Sequence, residues 1–364
     1  MGKSYQRELN EFFQAVESED FLLQKVTKGA LTQARAKLNP EIFNNLSKIV
    51  IDGFYQGEHQ AWGDYRVLAV DGSTIQLPQH HSVIEEFGQH GFGPNADSQR
   101  SLARISVLYD VLNCITLDAQ IDKYITSEKE LCFSHLKHLK EGDLCLFDRY
   151  YASFKLMWEL QERNVAFCFR MKDNWFKEVE QFQKEGVKDK EVTFYYQKQP
   201  IKVRLLKVEI ESEGTQILCT SILDKSYDLQ DFKELYNSRW GVETNYRYLK
   251  LWLELENFSG KTALAVKQDF FAKVYMMNLC AALTYPIAEQ IKKEKNGEYK
   301  MNRVDALSAT KHLLIPVFYH NLKEKTLDSF DEIIAKAMNK VKSGRSFERK
   351  KRPKVRFSMI YKNL

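Results

Sequence analysis

The sequence predicts an α/β protein: a mixed sheet flanked by helices, interrupted by a β-rich stretch and preceded by a helical region. Three observations predict it. From Tyr65 onward, YRVLAVDGSTIQL, ARISVLYDVLN and CITLDAQIDKY alternate apolar and polar residues with the period of half-buried strands. After them, helix-period segments alternate with short apolar runs, as in a sheet with crossover helices. Between about residues 173 and 225 the period is strand-only. The 364 residues, 44% of them hydrophobic, are ample for two or three packed units.

Each element follows in order. SYQRELNEFFQAV is amphipathic at the helical period. VTKGALTQARAKLNPEIFNNL predicts a helix capped near Thr27, a turn at Asn39-Pro40 and a second helix. The first of these carries Lys28, Gln33, Arg35 and Lys37, which either enter a DNA groove or pack within a small helical bundle. The strand from Tyr65 runs into Gly72, and Asn113 marks the turn between the next two strands. SEKELCFSHLKHLK reads as a helix and DLCLFD (143–148) as a strand buried on both faces. SFKLMWELQERN then reads as a helix and AFCFRMK as a strand. EVTFYY, VRLLKVEIE and QILCTSIL form the strand-only stretch, and the chain turns helical again at Asp228. VYMMNLCAALTYPIA (274–288) is apolar but interrupted by Asn278, Thr284 and Pro286, which predicts a core helix and no membrane span.

Composition narrows the function classes. None of the six cysteines forms a C-x-x-C pair and several sit in apolar runs, as reduced, buried thiols of a cytoplasmic protein do. The opening MGKSYQRELNEF lacks the apolar core of a signal peptide. Net charge is +5, but from Lys336 to Leu364 eleven Lys and Arg face one acidic residue, Glu348, which leaves about −5 on residues 1–335. A basic tail with Phe347, Phe357 and Tyr361 among its charges suggests a nucleic-acid partner. A zinc site has little support: His80-His81 lie in a Pro-flanked loop, and His135 and His138 read as a helix surface.

Two aspartates end apolar runs. Asp71 follows LAV and precedes Gly-Ser-Thr, and Asp148 follows LCLF and precedes Arg-Tyr-Tyr. A carboxylate there needs a partner: a divalent cation, a helix N-terminus or a salt bridge, for instance to Arg149. Asp110, Asp118 and Asp122 read as solvent-facing. Farther on, YNSRWGVETNYRYLK sets Tyr236, Arg239, Glu243 and Lys250 at offsets of 3, 7 and 14, on one face of a helix. Beside them Leu235, Val242, Tyr246, Leu249 and Leu253 make an apolar stripe. If that stripe packs on the sheet, Glu243 can join Asp71 and Asp148 in a hard-oxygen site suited to Mg²⁺ or Mn²⁺. Taken alone, the segment reads better as a surface helix with an i,i+4 ion pair between Arg239 and Glu243.

The spacing Y-x2-R-x3-E-x6-K resembles the signature of the insertion-sequence DDE transposases in the Y-R-E-K branch. VDGSTIQLP resembles that family's first-aspartate strand and LFDRYYASFKLMWEL its second, in the right order. The resemblance covers about residues 20–320 and implies an RNase H-like fold. Its expected organisation is a helical DNA-binding region at 1–62, a catalytic core at 63–172, a β-rich insertion at 173–226, the second part of the core at 227–320 and the basic tail at 321–364. It implies Asp71, Asp148 and Glu243 as catalytic, metal-binding residues for Mg²⁺, with Mn²⁺ able to substitute. Tyr236, Arg239 and Lys250 would hold DNA phosphates, with Arg170 and Lys172 as further contacts and Trp175 as the stacking partner of a flipped base. A strand-end ion pair for Arg170 and an ordinary core or surface aromatic for Trp175 stay open as readings. Trp240 resembles the family's usual Arg-Trp pair, with packing its simplest role.

The partners implied are double-stranded DNA, as terminal inverted repeats and target, and a second copy of the chain in the DNA complex. The location implied is the cytoplasm, at the nucleoid. The family commonly has glycine two residues after the second aspartate where this chain has Tyr150, so a change in that loop is expected. Two other functions fit parts of the pattern: an RNase H-like structure-specific nuclease, and a DNA-binding protein without catalysis.

Overall fold

The computed structural model describes residues 5–21, 23–92, 98–172, 175–210, 214–295, 298–320 and 324–341. The chain opens with helices α1 (Tyr5–Glu17), α2 (Lys28–Arg35) and α3 (Glu41–Phe54), and the Thr27 hydroxyl accepts from Ala30 N to start α2. Strand β1 (Arg66–Gln76) is followed by α4 (His81–Phe87), the short pair β2 (His90–Phe92) and β3 (Ser98–Arg100), then β4 (Leu102–Asp110) and β5 (Ile115–Lys123). Helix α5 (Glu128–His135) begins at a capping box between Ser127 and Glu130, and β6 (Asp143–Phe147) is buried at every position. Next come α6 (Phe154–Gln161), β7 (Ala166–Arg170), α7 (Lys177–Lys184), β8 (Asp189–Tyr196), β9 (Gln199–Ile210) and β10 (Gly214–Thr220). The chain ends with α8 (Leu229–Ser238), α9 (Trp240–Arg247), α10 (Ala263–Glu294), β11 (Tyr299–Met301), α11 (Arg303–Tyr319), α12 (Glu324–Lys336) and β12 (Met338–Lys340).

These elements form two compact units. Residues 57–74 and 104–247 carry an eight-stranded mixed sheet, ordered β5-β4-β1-β6-β7-β10-β9-β8. Strands β1, β6 and β7 run parallel, and β10, β9 and β8 add to them antiparallel. The β-rich stretch therefore extends the main sheet rather than forming one of its own. Strands β1, β4 and β5 and then α5, β6, α6 and β7 follow one another as the sequence predicted, with α4 and the β2–β3 pair between the first two strands. On one face Leu68, Val70, Cys145, Phe147, Phe167 and Phe169 pack with Cys132, Leu156, Leu160, Val179 and Phe182 of the helices.

The stretch read as strand-only also contains α7. KEVEQFQK buries Val179 and Phe182, three residues apart, so a helical face and not a pleat covers the sheet there. Asp110 and Asp118 are not the solvent-facing residues their alternation implied. Asp110 is fully buried in the β4–β5 turn, where its carboxylate accepts from Leu112 N, Asn113 N and Asn113 Nδ2. His135, expected on a helix surface, is wholly buried, and its Nδ1 lies 2.7 Å from Asp118 Oδ2. A helix covers that part of the sheet, so polar residues at outward positions meet one another instead of water.

Residues 1–56, 75–103 and 248–364 form the second unit, in which α3 packs on α10 and α10 on α11 and α12. Arg35 of α2 donates to Gln268 Oε1 and pairs with Asp269 Oδ1 at 3.0 Å, so packing, not an open groove, occupies this cation. The apolar stretch at 274–288 lies in the 32-residue α10 with Pro286 inside it, and among the described residues no helix is long and apolar enough to cross a membrane. Of the basic tail, residues 342–364 lie outside the described residues.

Candidate functional site

The parallel strands bring the two aspartates together. Register pairs Arg66 with Asp143 through Ala69 with Leu146, an offset of 77 residues (143 − 66). Asp148 − Asp71 is the same 77, so two steps farther the register sets Asp71 beside Asp148. Strand β7 pairs with β6 at an offset of 22, Leu144 to Ala166 through Phe147 to Phe169. One more step sets Arg170 beside Asp148. Continued past the end of β6 at Phe147, this register places Asp71, Asp148 and Arg170 in one row on one face, since adjacent strands are about 4.8 Å apart and side chains alternate. It is the face opposite the cluster built on Val70, Phe147 and Phe169. In keeping with this row, Asp71 feels the charge of Asp148, and Tyr236 the charges of Asp148 and Arg170.

Helices α8 and α9 bring the rest. Leu235, Val242 and Tyr246 are buried, as the apolar stripe requires, and Tyr236, expected on the polar face beside it, is buried as well. The helix is not continuous: Arg239 interrupts it as a turn, and Tyr248–Trp252 winds as a π-helix. The predicted common face therefore holds across Arg239 and Glu243, while Lys250 sits on the π turn, where the helical phase shifts. Arg239 is 6% exposed and donates from Nη2 to Glu243 Oε1 at 3.0 Å. Its guanidinium lies over the rings of Trp240 at 5.1 Å and Tyr236 at 5.8 Å, and its Nε has no hydrogen-bond partner. Trp240 is itself partly exposed, one face taken by this cation. The Tyr236 hydroxyl donates to the Phe147 carbonyl at 3.3 Å, and that of Tyr246 to the Asp71 carbonyl at 2.7 Å.

These groups lie within electrostatic reach of one another. Asp71 is pushed up to about 7: burial is the largest cause, and Glu243 and Asp148 add to it. Arg239 and the Gly72 N–H oppose the rise. A carboxyl raised mainly by burial, with two further carboxylates in electrostatic reach, supplies hard oxygen donors of the kind a divalent cation takes. Among the described residues no three His, Cys, Asp or Glu side chains stand in a ready metal-ligating cluster. Glu243 is turned to Arg239, and Asp148 Oδ1 accepts from Tyr150 N at 2.8 Å. The donor types, three carboxylates and no thiol or imidazole, are those a hard divalent cation takes.

Two further predicted contacts, Lys172 and Trp175, lie beside one another, and Trp175 adjoins Phe176, which packs on the apolar cluster of the opposite face. Lys172 is exposed, with its Nζ 4.7 Å from the Trp175 ring centre. Trp175 is exposed too, and Lys129 Nζ lies 5.2 Å from the centres of both the Trp175 and Tyr150 rings. Tyr150 is not among the residues with positive φ, so the loop after Asp148 does not need glycine's left-handed conformation.

Sequence reasoning missed three polar residues behind the site. Ser106 Oγ lies 3.3 Å from the Asp71 carbonyl and 2.9 Å from His135 Nε2, and His135 in turn reaches Asp118. Single polar residues on a strand or a helix are ordinary, and Ser106, Asp118 and His135 come from three different elements, β4, β5 and α5, so no local pattern joins them. Tyr246 was read as part of the apolar stripe, and its hydroxyl gave no signal.

No curated protein sequence matches the chain significantly. Among solved structures it is similar to the piggyBac transposase in a synaptic complex with hairpin DNA, at 10% identity and a TM-score of 0.45. That likeness covers 74% of this chain and 57% of the other, so the chain spans little more than half of that protein's length. The family described as "Transposase DDE domain" matches residues 62–279, well over half of the sequence and the whole span from β1 to α9. By that match, the chain belongs to the transposase DDE domain family.

Proposed function

We propose that the protein is a DNA transposase of the Y-R-E-K branch, which binds terminal inverted repeats, cleaves the transposon ends and joins the 3′-OH ends to target DNA. Asp71, Asp148 and Glu243 would hold Mg²⁺, or Mn²⁺ in its place. Bound there, the cation supplies Lewis acidity and lowers the pKa of an attacking hydroxyl. The observation that carries the reading is the row across β1, β6 and β7, with the Arg239–Glu243 pair in electrostatic reach of it.

The chain's own residues divide the work. Arg239, buried and with Nε unpartnered, offers a fixed planar donor to a phosphate. Arg170, beside Asp148 in the row, and Lys250 add positive charge for the DNA backbone. Tyr236 supports the site through the Phe147 carbonyl, and a phosphate contact from its hydroxyl would require that bond to open. Lys172 and Trp175 present a cation and an aromatic face suited to an unpaired base. Holding two DNA ends at once calls for at least two copies of the chain.

The test is cleavage of DNA flanking the gene, carrying its inverted repeats, by wild type and Glu243→Gln in Mg²⁺. Cutting at the repeat boundary by wild type alone, abolished by chelator, is the expected result. Tight repeat binding by both proteins with no cutting in Mg²⁺ or Mn²⁺ would replace the transposase reading with that of a DNA-binding protein.

A further inference from the structure

Two buried phenols join the Glu243 segment to the strands that carry the aspartates. Tyr246 lies three residues after Glu243, one turn along α9, and donates its hydroxyl to the Asp71 carbonyl at 2.7 Å. The Val107 backbone hydrogen-bonds the same phenol. Ten residues earlier, Tyr236 donates to the carbonyl of Phe147, the neighbour of Asp148, at 3.3 Å. Both rings are nearly inaccessible, at 6% and 4% exposed. Apolar packing alone would let a helix slide on a sheet, because dispersion contacts are non-directional. A hydroxyl on one main-chain carbonyl fixes both position and rotation.

The need for such a fixture is visible in the site. Glu243 repels the Asp71 carboxylate and is drawn back along its own helix by Arg239. Tyr246 anchors the turn that carries Glu243 to the main chain of Asp71 itself, and Tyr236 anchors the preceding helix beside Asp148.

We propose that Tyr246 is a positioning residue of the carboxylate site: its hydroxyl bond to the Asp71 carbonyl holds the Glu243 turn at the Asp71 strand, and Tyr236 does the same at Asp148 through Phe147. The proposal rests on the reading of Asp71, Asp148 and Glu243 as the metal-holding residues. The ligand whose affinity it sets is a divalent cation.

The test uses the full chain without DNA and Tyr246→Phe, which removes one oxygen and keeps the ring. Mn²⁺ binding is followed by the loss of its free paramagnetic signal, alongside a thermal melt and a Mg²⁺ titration of end cleavage. Loss of a residue that orients a metal ligand typically weakens metal affinity about 10- to 100-fold. Tyr246→Phe is expected to weaken Mn²⁺ binding by that much, to move the Mg²⁺ midpoint equally, and to regain cleavage at high Mg²⁺. Mn²⁺ affinity within about twofold of wild type, with only a lower melting temperature, would overturn the proposal. Tyr236→Phe is the second variant: weaker Mn²⁺ binding supports an anchor, whereas unchanged Mn²⁺ affinity with weaker DNA binding makes Tyr236 a phosphate contact and removes it from the proposal. Asp71→Asn and Glu243→Gln separate the two levels. If they abolish Mn²⁺ binding and both tyrosine variants spare it, the anchors fail and the triad stands. If they too leave Mn²⁺ binding intact, the triad reading fails and the anchors fall with it.

Discussion

Arg239 and Glu243 are paired across one helical turn, Nη2 to Oε1 at 3.0 Å, with the arginine almost wholly buried and the glutamate 40% exposed. The pair resembles a surface i,i+4 contact in sequence, but its guanidinium also acts on Asp71. Arg239→Gln should release Glu243 and remove the cation that restrains Asp71. A hydrogen bond to a charged group contributes about 1.5–3 kcal/mol, so single-turnover end cleavage should fall by roughly 10- to 150-fold. Unchanged cleavage would limit Arg239 to packing between Tyr236 and Trp240.

Asp71 makes the metal-free protein sensitive to pH in an unusual direction. Its folded value is raised to about 7 from an ordinary 3.8, chiefly by burial. Between these values the folded state holds a proton that the unfolded state has lost, so stability falls as pH rises from about 4 to 7. The loss on this account is of the order of 2–4 kcal/mol. In chelator, melting temperature should drop over that window, and Asp71→Asn should be more stable than wild type at pH 8. Equal melting of the two proteins at pH 8 would show that the carboxyl is not strained in the folded state.

The Asp118–His135–Ser106 chain should matter for stability. Burial would raise Asp118, but hydrogen bonds from His135 and Gln120, with the charge of His135 and His138, outweigh it and hold the carboxyl at about 2. That depression adds stability above the unfolded value of 3.8, lost as pH falls through about 2. His135→Ala leaves Asp118 and Ser106 short of partners in a closed space and should cost about 2–4 kcal/mol in urea unfolding. A cost under about 0.5 kcal/mol would mean that water replaces the imidazole.

Gly72, next to Asp71, is a position of close approach. A Cβ there would lie 2.5 Å from Glu128 Cγ and 2.7 Å from its Cδ. Gly72→Ala should therefore displace Glu128 and break its 2.8 Å pair with Arg104, at about 1–3 kcal/mol. Gly72→Ala together with Glu128→Ala should recover most of the loss, because the clash is with that side chain. No recovery would place the strain in the backbone of β1.

Much of the fold was legible because its signals are local. The Thr27, Ser127 and Asp228 caps lie where a side-chain oxygen can reach the next free N–H groups, which depends only on neighbouring residues. Strands β1, β4, β5 and β6 lie where period and apolar runs placed them, but β1 and β4 are buried at consecutive positions, on both faces, rather than half-buried as their alternation implied. The insertion helix α7 was less legible because KEVEQFQK is short and carries only two apolar anchors. His135 and Asp110 were misjudged because burial depends on what covers a residue from afar, and local period carries no record of that.

Sequence by itself determined the strands, the caps, the two aspartates that follow apolar runs and the spacing of Tyr236, Arg239, Glu243 and Lys250. Tertiary structure alone decided the offset of 77 that sets Asp71 beside Asp148 and the offset of 22 that adds Arg170. It alone decided that the Tyr236 and Tyr246 hydroxyls are spent on strand carbonyls. The physical reason is that register between parallel strands is set by pairing across dozens of residues and by the helices packed upon them. A side chain's period can name its face but not its neighbour.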